Sequence, residues 1–273
     1  MNSPVTIESQ QCLALIKWAS LCCLPAIALL WVTSSNSTVF LWINSHFALW
    51  TGPSPWALLS DMGDGFFLFP LGMMLLVRNN PVKQQILVFS VILAAISLQT
   101  AKYVIDLNRP VVALRDAVNI IGPMLRSHSM PSGHTGSVFL LAGLALLLSG
   151  RTVVTTFSLL LAICSGLSRV VVGAHWPADV LAGAWFGLVS AAIGQLISHF
   201  FVAGLCIRGL YICLCFTATG ILFFYSNGFN RYNGAQFMQY SLFILALLLT
   251  VVESLSLART LSSNKQPAQA TSL

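Results

Sequence analysis

Apolar runs of about twenty residues, the length that crosses a bilayer as a helix, recur along this chain. The first covers Leu13 to Thr33, behind a short polar N-terminus and with Lys17 near its start. It is long for the apolar stretch of a secretory signal and no A-x-A cleavage site follows it, so it reads as a retained span. Further runs cover Ser60 to Val77, Gln84 to Val104, His134 to Leu148, Thr152 to Val172 and Ala178 to Phe200. Two more, Gly209 to Tyr225 and Phe237 to Ser256, close the series. Only 7% of residues are charged, against about 25% in soluble domains, so a water-soluble form would lack the polar surface to cover itself. The expected fold is an all-α, polytopic transmembrane helical bundle, with about six core spans and a C-terminal pair.

This divides the chain into a membrane-embedded core at 1–201, a C-terminal transmembrane hairpin at 202–258 and a polar tail at 259–273, expected to be disordered. Phe40, Trp42, Phe47, Trp50 and Trp56 crowd the segment between the first two runs, which suits a helix or loop at the membrane interface. The net charge of +6 does not point to nucleic acid, because the basic residues stand singly rather than in a run. Seven cysteines, an odd number set in or beside apolar runs, read as packed or lipid-facing thiols rather than a disulfide framework. Cys213 and Cys215 have no third ligand nearby to complete a metal site.

The polar residues that remain are concentrated. Lys102, Arg109 and Pro110 end the third run, and Pro131, Ser132, Gly133 and His134 open the fourth. Ser168 and Arg169 end the fifth, and His175 and Asp179 open the sixth. Successive spans cross in opposite directions, so all of these ends emerge at one membrane face. A charge inside a bilayer costs about 2.5–3.5 kcal/mol on insertion scales, which marks such residues as functional. Lys102, Arg109 and Arg169 suit the several oxygens of a phosphate, with Arg as a planar fork and Lys as a point charge. Gly133 lets backbone N–H groups at a helix start approach an anion, and the Ser132 hydroxyl can donate to it or cap the helix. His134 then stands at the outer mouth, where an acid for a leaving oxygen is needed. His175 and Asp179, four apart, share a helix face, so the carboxylate can fix one imidazole nitrogen and leave the other to attack. Each piece has a plainer reading in isolation. Basic residues at span ends snorkel to headgroups, Ser132 and Asp179 cap helices, and His134 and His175 are interfacial or loop histidines.

As a set, K-x6-RP, PSGH and SR-x5-H-x3-D resemble the membrane-bound type 2 phosphatidic acid phosphatases, which share a core with vanadium haloperoxidases. The resemblance spans roughly the first 200 residues. It implies a metal-independent lipid phosphate phosphatase of helical-bundle fold, with no cofactor and no metal ion. His175 would form a phosphohistidine with the help of Asp179, and His134 would be the general acid and later the base. Lys102, Arg109, Ser132, Gly133 and Arg169 would bind the phosphate. Implied substrates are undecaprenyl pyrophosphate, phosphatidylglycerophosphate, phosphatidic acid and lipid A phosphates, with membrane lipids as surroundings. A lipid-to-lipid phosphotransferase would need the same residues. A lipid or anion transporter would instead show broken helices in two related halves, and no such repeat is present.

Some polar residues stay open. Asp61 and Asp64 border the site or cap a helix. Arg115 and Arg126 hold a second phosphate or belong, with Asp116 and His128, to an ordinary surface loop. Asn36-Ser37-Thr38 matches a glycosylation acceptor. With the three motif cations set aside, Lys17, Arg78, Lys83, Arg151, Arg208, Arg259 and Lys265 fall on one side and Arg115, Arg126 and Arg231 on the other. That bias puts the site at the extracytoplasmic face; the expected setting is a bacterial inner membrane. A cysteine placed at Ser129 is therefore expected to react with an impermeant thiol reagent from outside, and one at Ser149 only from inside. The reverse pattern would invert the topology.

Overall fold

The computed structural model describes residues 7–64, 72, 76–78, 80–202, 204–226 and 236–263. The described chain is helical: α1 (Ile7–Val32), α2 (Asn36–Thr51), α3 (Ser54–Met62), α4 (Pro81–Ile105), α5 (Pro110–Leu114), α6 (Gly133–Leu148), α7 (Thr152–Val171), α8 (Pro177–Ser198), α9 (Leu205–Ser226) and α10 (Gln236–Ser263). Five of the described helices are long and apolar enough to cross a membrane, and α6 is a shorter apolar helix. The bundle is the expected polytopic one. The span expected from Ser60 to Val77 falls mostly outside the described residues; α3 overlaps its start. The first helix begins at Ile7, six residues before the apolar run, so Lys17 lies well inside it rather than near its start.

The bundle is built around α8, which packs on α6, α4, α1 and α7. Its sequence explains why. A Cβ at Gly183 would lie 3.0 Å from Thr135 Cβ, and one at Gly187 would lie 2.7 Å from the Leu140 amide nitrogen. From the other side, a Cβ at Gly143 would meet Ala191 Cβ at 2.8 Å. These small residues bring the backbones of α6 and α8 together. In a bilayer, where lipid tails are as apolar as leucine, such contact is what holds helices. Outward faces are apolar: Val153, Phe157, Leu160 and Ile163 of α7 are all exposed, as a lipid-facing stripe requires.

Between α4 and α6 the chain is mostly irregular, broken by α5 and a 3-10 turn at Arg115–Ala117. At the far end of the bundle, Lys83 Nζ donates to Leu148 O at 2.6 Å, a cation on the carbonyl end of α6. Helices α9 and α10 pair with each other, and α9 lies against α4. Gln84 Nε2 of α4 donates to Glu253 Oε2 of α10 at 3.2 Å. The last helix runs to Ser263, beyond the start of the polar tail read from composition. Arg208 holds its final turns, donating to Ser256 Oγ at 3.4 Å and Thr260 Oγ1 at 3.3 Å.

Gly187→Val would drive a branched side chain into the backbone of α6. Overpacking typically costs about 1–3 kcal/mol, and backbone yields less than side chain. A melting temperature in detergent clearly below wild type is expected; an unchanged one would mean that the α6–α8 seam does not hold the bundle.

Candidate active site

The turn from α7 to α8, residues 170–179, is buried almost throughout, and its course sets the site. Helix α7 ends beside Gly173, at φ +78, where a Cβ would meet Asn119 O at 2.7 Å, so only glycine fits comfortably. The His175 amide then returns to Arg169 O at 3.1 Å. Pro177 opens α8, where its missing N–H is not needed. Asp179, in the first turn of α8, reaches back so that its Oδ2 accepts the Trp176 amide at 2.9 Å. The same oxygen accepts Ser129 Oγ and faces His175 Nδ1 at 3.4 Å.

On the other side of the imidazole, Arg109 Nη1 lies 3.2 Å from His175 Nε2. A guanidinium has only hydrogens to offer, so Nε2 is the bare nitrogen and Nδ1 carries the proton toward Asp179. Arg109 is itself oriented by Ser127 O at 2.8 Å and Ala174 O at 2.9 Å. Burial first, then the charges of Arg109, Arg169, Lys102 and His134, hold His175 well below the ordinary imidazole value. A depressed value favours the neutral ring, so His175 keeps its lone pair throughout the physiological range.

The remaining motif residues surround this ring. Lys102 Nζ donates to His128 O at 3.3 Å, and a Cβ on Gly133 would lie 3.8 Å from Lys102 Cε, so Lys102 lies against the N-terminus of α6. Ser132 caps that helix, its Oγ accepting from Thr135 Oγ1 at 3.0 Å, and its amide donates to Asp179 O at 2.9 Å. Arg169, buried at the end of α7, donates to Ser60 Oγ. Ser168 turns back to Ser165 O at 2.6 Å. His134, in the first turn of α6, places Nε2 3.9 Å from Asp64 Oδ2. The structure thus brings together all eight residues singled out from sequence: Lys102, Arg109, Ser132, Gly133, His134, Arg169, His175 and Asp179.

Three other residues belong to this region. Asp64 borders it beside His134, one of the two alternatives open in the sequence. Ser129 is fully buried against Asp179, so it is unfit as a labelling position. Met124, in the same loop and 54% exposed, is the position for that topology test. Asn44 gives no sequence signal. From the buried face of α2 its Nδ2 donates to Asn119 O and Val171 O, both at 2.8 Å, and its Oδ1 accepts the Asn119 amide at 2.8 Å. It clamps the outer loop to the end of α7. Asn36 likewise caps α8, accepting the Ala178 amide at 3.1 Å. Arg115 and Arg126 are exposed.

Residues 85–203 match the PAP2 superfamily. The chain is 31% identical over 145 residues to an undecaprenyl-diphosphatase of Sulfolobus acidocaldarius, a match covering 50% of this chain and 67% of that one. It is also similar to the crystal structure of Aquifex aeolicus LpxE, with a TM-score of 0.50 and 28% identity, over 60% of this chain and 94% of that one.

Asn44→Ala removes the clamp while leaving the other loop contacts in place. Amides of residue 119 and of the 170–175 turn are expected to exchange hydrogen faster, by about tenfold or more for a loss of about 1–3 kcal/mol. Unchanged exchange there would show that the turn stands without Asn44.

Proposed function

The chain belongs to the PAP2 superfamily, and from that membership and the pocket geometry we propose that it is a multi-pass membrane phosphatase that removes phosphate from a polyprenyl diphosphate lipid. The observation that carries this reading is the chain of contacts from Asp179 through His175 to Arg109, a neutral imidazole with its bare nitrogen turned to a guanidinium. Similarity to an undecaprenyl-diphosphatase supports the substrate class. The bias of Lys and Arg toward the end of the bundle away from the pocket supports an extracytoplasmic site.

In this mechanism Arg109, Lys102, Arg169, the Gly133 amide and the Ser132 hydroxyl hold the terminal phosphate oxygens. Such donors act mainly on the charge that spreads over those oxygens in the transition state. His175 Nε2 attacks phosphorus, and a P–N bond forms as the P–O bond to the leaving phosphate breaks. His134 gives its proton to that leaving oxygen. Asp179 stays ionised and stabilises the positive charge that develops on His175. Water then attacks the phosphohistidine with His134 taking its proton, inorganic phosphate leaves, and Nε2 regains its lone pair. Asp64 Oδ2 faces His134 Nε2 at 3.9 Å, on the side of the ring where that proton is held.

Phosphate release by the detergent-purified protein should be measured over undecaprenyl pyrophosphate, phosphatidylglycerophosphate, phosphatidic acid and lipid A. Release should be fastest from the first, and His175→Ala should lower it on the order of 10⁴-fold or more, as loss of a nucleophile does. A folded His175→Ala protein with substantial activity would sink the nucleophile assignment. Faster release from another lipid would reassign the substrate.

A further inference from the structure

An apolar cavity of about 260 Å³ opens between α4, α6 and α9, with Gly72 beside it. Leu87, Ala95 and Leu98 of α4 line one side, Ser137 and Leu144 of α6 another, and Ala218 of α9 closes it. The cavity adjoins the phosphate site. Leu98 stands four residues before Lys102, and Ser137 four after Gly133, so its upper end lies about one turn, roughly 6 Å, below the basic groups. From Leu87 to Leu98 it follows α4 for roughly 16 Å.

Its chemistry suits one kind of occupant. Of the polar side chains in its wall, Ser137 turns its hydroxyl to Gly133 O at 3.2 Å and Thr217 turns its hydroxyl to Cys213 O at 2.9 Å. Both are satisfied by their own helices, so the wall presents a hydrocarbon with no polar group whose bond it would break.

We infer that this cavity holds the first isoprene units of the lipid substrate, and that the C-terminal hairpin, through α9, supplies the wall that seats the chain behind the headgroup. The inference rests on the phosphatase reading above and adds a specificity element to it. The matched family region ends at residue 203, before α9 begins, so this wall is supplied by a part of the chain outside that region. Because lipid tails are as apolar as the wall, occupancy brings no gain from leaving water. The wall therefore works by register: a prenyl chain seated between α4 and α9 brings its headgroup to Lys102 and His175.

Two measurements test this. In full-length His175→Ala protein, a polyprenyl diphosphate carrying a diazirine within its first isoprene units should crosslink to α4 and α9 at the cavity, and excess undecaprenyl pyrophosphate should compete. In the active protein, Thr217→Trp and Ala95→Trp, which fill the cavity from opposite walls, should lower the ratio of kcat/KM for undecaprenyl pyrophosphate to that for a five-carbon prenyl diphosphate by about tenfold or more, a discrimination within reach of an apolar pocket. Crosslinks elsewhere, or crosslinks competed equally by ordinary phospholipid, would overturn the inference and make the cavity a site for bulk lipid. An unchanged ratio in both variants would do the same. If either variant folds poorly, the crosslink decides. A wild-type protein that cleaves neither diphosphate would instead remove the phosphatase reading, and this inference with it.

Discussion

Asp179 is the point at which the stretch from Ser129 to Ser132 is tied to the turn that carries His175. One of its oxygens takes hydrogen bonds from Ser129 of the outer loop and the Trp176 amide at the start of α8, and faces the ring of His175. Its backbone oxygen takes the Ser132 amide at the start of α6. The side chain is 1% exposed. A buried carboxylate loses several kcal/mol of hydration, which only well-placed donors and nearby cations offset. Here the donors are at hand, and Arg109 and Lys102 stand close by. Because its hydration is replaced by these specific groups, Asp179 forces them into position. The orientation of His175 is a consequence of that satisfaction rather than a separate feature.

The demands of the membrane and of the site reinforce each other. Helix ends leave N–H groups without partners, and the N-termini of α6 and α8 both open at the pocket. The charged side chains of the motifs gather at the same level, where they face one another rather than lipid. Small residues on α8 then allow α6 close enough for Ser132 to reach Asp179. The distance between the two motifs is thus set by glycines one and two turns along the same helix face as Asp179, residues that take no part in the chemistry themselves.

Much of this was legible in the sequence, for identifiable reasons. Long apolar runs report their helices because the bilayer enforces the length, and Pro177 and Ser132 mark helix starts by local chemistry. The eight candidate residues could be grouped from sequence because they fall at or near successive span ends that share one face. What escaped were residues whose role depends on partners far away in the chain. Asn44 bonds to Asn119 and Val171, 75 and 127 residues on, and nothing near it in sequence separates it from any interfacial asparagine. Ser129 reads as a loop serine until α8 is brought beside it. The end of α10 was placed too early because composition turns polar there, whereas Arg208 supplies partners from a neighbouring helix. The cavity beside α9 depends on how three helices fit, which periodicity does not encode.

The seam between α1 and α8 bears on how the protein is made. Apart from buried Cys12, Ala19 and Cys23, α1 exposes most of its surface, and its main partner is α8. Trp185 Nε1 donates to Ser20 Oγ at 3.0 Å across 165 residues of intervening chain. At roughly 5–20 residues per second of synthesis, α1 enters the bilayer about 10–30 s before that partner exists. During that interval lipid, or the insertion machinery, must cover the face that α8 will take. Helix α1 is therefore inserted well before it is packed, and its seam closes only when the central helix leaves the ribosome.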